Sequence, residues 1–403
     1  MFLRTIFFLT LLAGALPAPR GEAANLSALA AEPDWRNLDA FQGTITREEF
    51  SRLLTQVYAP RGGWQPYIRI DPGAAVIRKS NIPLDDLFTL RFAANGVAPA
   101  RSQPPEYWRP RGAISPLMPP AAQPLAGVKI ALDPGHLGGR WAHLEERWFQ
   151  IGQAPPVAEG DMTLAVARLL AVRLRALGAQ TTLLRTGDEP ATRLRPYDLL
   201  EDAAREFRAA GIAAPRATNN GAADPDRQLS LPWMSEALFT RAEIRARGDR
   251  VNGAVHPDLV VCLHFNAEAW GDPAHPALVD KNHLHLLING CYEPDELAKD
   301  DVRFELLTKL LNGSHAEELA IADSVAPVLA RATGLPPYVY KGKNALCPGP
   351  DPYVWERNLL ATRIDQCPVL YIEPYVMNSP GVFARIQAGD YAGSREIDGV
   401  ARP

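Results

Sequence analysis

Cysteine is scarce in this sequence: Cys262, Cys291, Cys347 and Cys367 are the four in 403 residues. Their spacing excludes a disulfide scaffold and matches no CxxC-type metal site, so they are expected as core thiols or in one or two disulfides. An excess of one charge is lacking as well. Lys and Arg number 42 against 46 Asp and Glu, a formal net charge of -4. Without a global basic field, no nucleic acid is expected as a partner. Past residue 16 no long apolar run remains, so no later segment reads as transmembrane.

The chain does carry an address at its start. Residues 1–4 form a short basic opening, 6–16 are apolar, Pro17 breaks the run, and Gly21-Glu22-Ala23 places small residues where a signal peptidase reads. The apolar run is shorter than the roughly 20 residues needed to cross a bilayer. Residues 1–23 are therefore expected to be a cleaved secretory signal, with no stable membrane anchor and a destination in the periplasm or cell envelope.

Residues 24–98 read as a small α+β accessory module. Thr46-Arg47-Glu48-Glu49 is a capping-box pattern, and Phe50, Leu53, Leu54 and Val57 then share one helical face. Segments 67–70 and 75–77, separated by Asp71-Pro72-Gly73, suggest a hairpin, and 88–92 a further strand. Recurrent prolines mark 99–124 as a linker. From 125 to about 395 the pattern becomes α/β. Apolar runs at 128–132, 259–263 and 368–372 suit strands buried on both faces. Further strands are expected at 181–184 and 285–288, with helices after Asp161, read as a cap, and over 316–332 before Gly334. This alternation predicts a mixed, largely parallel sheet flanked by helices.

Ligands of such sheets gather beyond the carboxyl ends of the strands. His136 follows the first strand, His264 follows 259–263, Glu373 follows 368–372, and Glu159 opens the first long helix. Two imidazoles and a carboxylate are a ligand set for catalytic zinc, which lowers the pKa of a water to about 7. Glu373 is the candidate to take that water's proton and pass it to a leaving amine.

The segment 128–136, ending Asp133-Pro134-Gly135-His136, resembles the first zinc-ligand loop of the zinc-dependent N-acetylmuramoyl-L-alanine amidases of the Amidase_3 type. Glu159-Gly160-Asp161-Met162-Thr163-Leu164 is similar to that family's second-ligand segment, with Arg185-Thr186 ending the next strand. Arg247, Asn252 and the run 257–267 resemble the third, and 369–373 with Asn378 and Pro380 the segment of the catalytic Glu. The resemblance spans roughly 125–390. It implies zinc held by His136, Glu159 and His264, catalysis by Glu373, and hydrolysis of the amide between N-acetylmuramic acid and L-alanine in peptidoglycan. Departures are Leu137 within the usual glycine run, Cys262 where Ser is common, and apparent insertions at 140–156 and 187–236. Other readings are a zinc peptidase or deacylase on another amide, or a non-catalytic wall-binding protein.

Several polar residues have more than one reading. Asp133 is either a carboxylate orienting His136 or a turn former before Pro134. His143 is a solvated loop histidine, a substitute ligand or a substrate contact. His283 and His285 lie two apart on a strand, as a metal pair or as polar residues of a half-exposed face. The segment 293–312 stands where some relatives of the family carry a helix that covers the zinc until a partner removes it. It is a surface excursion or a gate of that kind, with an activator protein as the candidate partner.

Overall fold

The computed structural model describes residues 25–80, 86–94, 107–114, 119–221, 224–271 and 275–402. The expected signal and parts of the proline-rich stretch lie outside them. Among the described residues no helix is long and apolar enough to cross a membrane.

In the first 94 residues, Thr46 caps α1 (Arg47–Leu53) by accepting from the Glu49 amide, and the helix runs on into a π turn, Leu54–Tyr58. Strands β1 (Ile68–Ile70), β2 (Ala74–Arg78) and β3 (Leu87–Arg91) form an antiparallel sheet in that order.

The larger part of the chain is built on six strands. β4 (Lys129–Pro134) and β7 (Gln180–Leu183) are joined by α2 (Glu159–Ala176), with the two-stranded β5 (Trp148–Phe149) and β6 (Val157–Ala158) in the intervening loop. Two helices follow, α3 (Leu200–Ala209) and α4 (Leu231–Arg250), then β8 (Leu259–Leu263) and β9 (Leu284–Ile288). After α5 (Asp300–Asn312) and α6 (Ser314–Thr333) come β10 (Val354–Glu356), α7 (Leu360–Ile364), β11 (Val369–Pro374) and α8 (Pro380–Ala388). A terminal hairpin, β12 (Arg395–Ile397) and β13 (Val400–Arg402), ends the described chain.

The sheet order is β10-β9-β11-β8-β4-β7. β7, β4, β8 and β11 are parallel; β9 is antiparallel to β11 and parallel to β10. The sheet is thus mixed and largely parallel. Side chains alternate across it as strand geometry requires. Ile130 and Leu132 pack with Ala167 and Ala171 of α2, while Ala131, Val260 and Cys262 face the opposite cluster with Val251. Helix α6 covers Leu284, Leu286 and Ile288 of β9.

Two local expectations need correction, the cap at Asp161 and the reading of segment 293–312. The first long helix begins at Glu159, two residues before Asp161, whose side chain accepts from the Gly139 amide instead of capping. The stretch 187–236, read as an insertion, contains α3 and the start of α4. These, with the 3-10 turn Pro196–Leu199 before α3, pack Leu199, Ala203, Leu238 and Phe239 around Trp141 and Leu137, the latter next to His136 in the chain. The segment 293–312 is neither a surface excursion nor a cover for the histidines. Leu297, Val302, Leu306, Leu307, Leu310 and Leu311 complete the same core as Phe50, Leu54, Tyr58, Ile77 and Leu90. Buried Arg303 of α5 donates to the carbonyl of Arg78, and buried Asp300 accepts from the Asn25 amide. The small module therefore closes its core with a helix more than two hundred residues downstream. All four cysteines are free thiols, three of them buried.

Candidate functional site

The carboxyl ends of β4 and β8 and the amino end of α2 meet at one rim. His136 stands just beyond β4 with φ of 54°, a conformation that costs a non-glycine residue on the order of 1–3 kcal/mol and persists only where its surroundings hold it. Those surroundings are specific. Arg185 donates to the carbonyls of His136 (2.8 Å) and Gly160 (2.9 Å), and the Thr163 hydroxyl donates to that of Gly135 (2.6 Å). A Cβ at Gly135 would fall inside the His264 ring, and one at Gly160 would strike the Leu137 backbone. Both glycines permit the loops to close on each other.

The structure brings His136, Glu159 and His264 together, with one ligand atom of each within 4.8 Å of the others. Glu159 is 1% exposed. Its Oε1 accepts from the Phe265 amide (3.0 Å) and contacts His264 Nδ1 at 3.2 Å. Its Oε2 lies 3.7 Å from His136 Nε2 and has no hydrogen-bond partner, although it is buried. A buried carboxylate oxygen left bare is costly unless a cation meets it, so the set fits a metal ion. Burial pushes the His136 imidazole well below its usual pKa, outweighing the pull of Glu159, and so favours the neutral, ligating form. Burial pushes the Glu159 carboxyl up, but His136, His264 and Arg147 together bring it below its ordinary value.

Asp133 does not orient His136. It is buried and paired with Arg247 at 2.5 Å, a guanidinium that also donates to the carbonyl of Pro134. The imidazole is held instead by Glu145, whose Oε2 lies 3.0 Å from Nδ1 and accepts from the Leu137 amide at 2.8 Å. Burial raises the Glu145 carboxyl, with the Leu137 amide and nearby arginines opposing. Glu145 comes from the apparent insertion 140–156, and sequence spacing carries no signal for it.

Glu373 lies on β11, beside β8, and Tyr371 of the same strand stacks on the His264 ring with centroids 4.1 Å apart. It faces His285 of β9, whose Nε2 is 2.6 Å from Glu373 Oε2. Burial alone would raise the Glu373 carboxyl; His285, His264 and Arg357 reverse that and hold it at about 2. His283 and His285 are both buried, not half-exposed, and they are divided between two acids, His283 lying 3.3 Å from Glu268. His143 is exposed and packs on Trp148, outside the cluster. Asn378 fixes Glu268 through its backbone, and Asn252 ties the turn before β11 through Ile364 and Gln366.

No family model matches the chain, and no curated protein matches it. Among solved structures it is similar to the N-acetylmuramyl-L-alanine amidase Ami1 from Mycobacterium smegmatis, at 17% identity over 66% of this chain and 89% of that one, with a TM-score of 0.35. It is similar to the CwlD amidase from Clostridioides difficile, solved in complex with the GerS lipoprotein, at 14% identity over 62% and 84%, TM-score 0.31. It is similar also to the N-acetylmuramoyl-L-alanine amidase AmiC2 of Nostoc punctiforme, at 14% identity over 64% and 88%, TM-score 0.31.

Proposed function

We propose that this protein is a zinc-dependent hydrolase, exported to the periplasm or cell envelope through a cleaved signal, that cuts the amide between N-acetylmuramic acid and L-alanine in peptidoglycan. What supports the chemistry is the convergence of His136, Glu159 and His264, with a bare buried oxygen on Glu159 and a second carboxylate on a neighbouring strand. What supports the substrate is the resemblance of four separate segments, in order, to the zinc-dependent muramoyl-alanine amidases.

His136, Glu159 and His264 would hold the zinc. When bound, zinc supplies a Lewis acid for the scissile carbonyl and a water whose pKa is near 7. Glu145 keeps the His136 ring turned toward the metal by accepting at Nδ1, and Arg185 fixes the loops that carry two of the ligands. Glu373, ionised at neutral pH, takes the proton of the attacking water. It then returns it to the nitrogen of the leaving alanine as the C–N bond breaks.

The test is digestion of purified peptidoglycan by the mature protein, with and without a chelator and with Glu373→Ala alongside, read by mass spectrometry. Free stem peptides beginning with alanine, abolished by both controls, are the expected products. Release of other fragments points to a different amide, and zinc binding without any turnover to a wall-binding role.

A further inference from the structure

The role given to Glu373 leaves the imidazole beside it to be explained. β9 and β11 are antiparallel with His285 directly opposite Glu373. Side chains so paired leave the same face of the sheet with Cβ atoms about 4.5–5.5 Å apart. His285 is 1% exposed, and its Nε2 meets two atoms, Glu373 Oε2 at 2.6 Å and the Tyr340 hydroxyl at 3.1 Å. Two lone pairs cannot face each other at that shorter distance, so a proton lies between Nε2 and Oε2, on the nitrogen whenever Glu373 is a carboxylate. Tyr340 accepts from Arg357 at 3.3 Å and sets its ring edge-on to His285, with Tyr338 packed on the imidazole at 5.1 Å between centroids. The other nitrogen, Nδ1, is enclosed and has no partner. Every polar contact of the ring is therefore made through the atom that faces Glu373.

We propose that His285 is a positioning residue for Glu373. It fixes Oε2 so that Oε1 is the oxygen that takes the water's proton and returns it to the leaving amine, while Tyr340 and Arg357 brace the imidazole. The proton on His285 stays in place throughout; the proton that moves passes from water to Oε1 to nitrogen. This rests on the hydrolase reading above. It also accounts for His285 being buried inside a sheet: its strand register delivers an N–H to the acid on the next strand.

The experiment compares the zinc-loaded mature protein with His285→Leu, His285→Gln and Glu373→Gln, using soluble N-acetylmuramoyl-L-alanyl peptides as substrate. Misplacement of a reacting group by about 1 Å costs on the order of 10²-fold. The leucine variant is expected to lose about that much in kcat with KM and zinc content unchanged. The glutamine variant, whose amide N–H occupies the place of Nε2–H, is expected to recover most of it. Wild-type kcat in the leucine variant overturns the proposal. So does loss of zinc together with activity, or a glutamine variant no better than the leucine one. If the leucine variant does not fold, His285→Asn replaces it, its amide being too short to reach Glu373; equal rates for asparagine and glutamine then overturn the proposal. An inactive Glu373→Gln beside an active His285→Leu removes only the role of His285. An active Glu373→Gln removes the hydrolase reading of Glu373 and this role with it.

Discussion

The rim of the sheet and the joint between the amino-terminal module and α5 use the same buried pairing, a carboxylate against an imidazole, to different ends. At the rim, Glu145 holds His136 and His285 holds Glu373. In each pair one member belongs to the cluster of candidate ligands and acids while the other stands behind it. At the joint, His315 Nε2 lies 2.7 Å from Glu356 Oε1, with Tyr58 edge-on to the ring. Nearby Lys309 is fully enclosed and donates to Glu318, to the Asp365 carbonyl and to the Cys367 carbonyl. Lys309 has used all three of its donors inside the protein, while a bare buried carboxylate oxygen occurs in both regions, on Glu159 at the rim and on Glu356 at the joint. Burial and pairing therefore do not mark a functional site by themselves. Convergence does: only at the rim, among the described residues, do three metal-ligand side chains come within reach of one ion.

Substitutions that remove one member of each pair can break that contrast. The largest effect is expected at Glu373. Glu373→Gln should lower kcat by about 10²- to 10⁴-fold, the usual contribution of a general base and acid, with zinc content intact by metal analysis. Glu145→Gln should weaken zinc binding by about 10- to 100-fold in competition with a chelator, yet leave kcat near wild type once zinc is saturating, because Glu145 touches the ligand and not the substrate. His315→Gln is the matched control at the joint. It should cost about 1–3 kcal/mol in denaturant unfolding, through the weakened bond to a buried acid, with zinc affinity and kcat unchanged. A kinetic effect there would erase the distinction between the two regions.

What was legible in the sequence follows from the same contrast. Strands β4, β8 and β11 could be read because burial on both faces leaves an uninterrupted apolar run, and the residues just past such runs fall at one rim. β10 escaped because Val354–Glu356 is three residues at an edge, too short to show a period. Glu145 escaped because His136 has a nearer acid in sequence, Asp133, which Arg247 claims in the folded chain. His285 could be read only as one of two histidines on a strand, since its pairing is a matter of register with β11, and no single strand records its neighbour. The joint was the least legible part. The leucines of α5 have helical spacing, but nothing local says that their partners lie in residues 38–92.

Protons separate the two regions too, and here the expected effect builds gradually with pH. At the rim a carboxyl held at about 2 is ionised throughout the working range. Beside Lys309, Asp365 is the reverse case: burial and the nearby Asp133 push its carboxyl to about 8, with Lys309 and Arg247 opposing. The folded protein then keeps this proton while the unfolded chain gives it up near the ordinary carboxyl value of 3.8. Between those limits the unfolded state binds fewer protons, so the contribution is fully present below the lower value and is lost as pH rises toward the upper one. The slope from one such group is at most about 1.4 kcal/mol per pH unit. Asp365→Asn cannot ionise and removes this slope. Unfolding by denaturant across pH 4 to 9 should find the variant close to wild type at the acid end and progressively more stable than it toward the alkaline end. Parallel curves would mean that Asp365 is already ionised in the folded protein across this range.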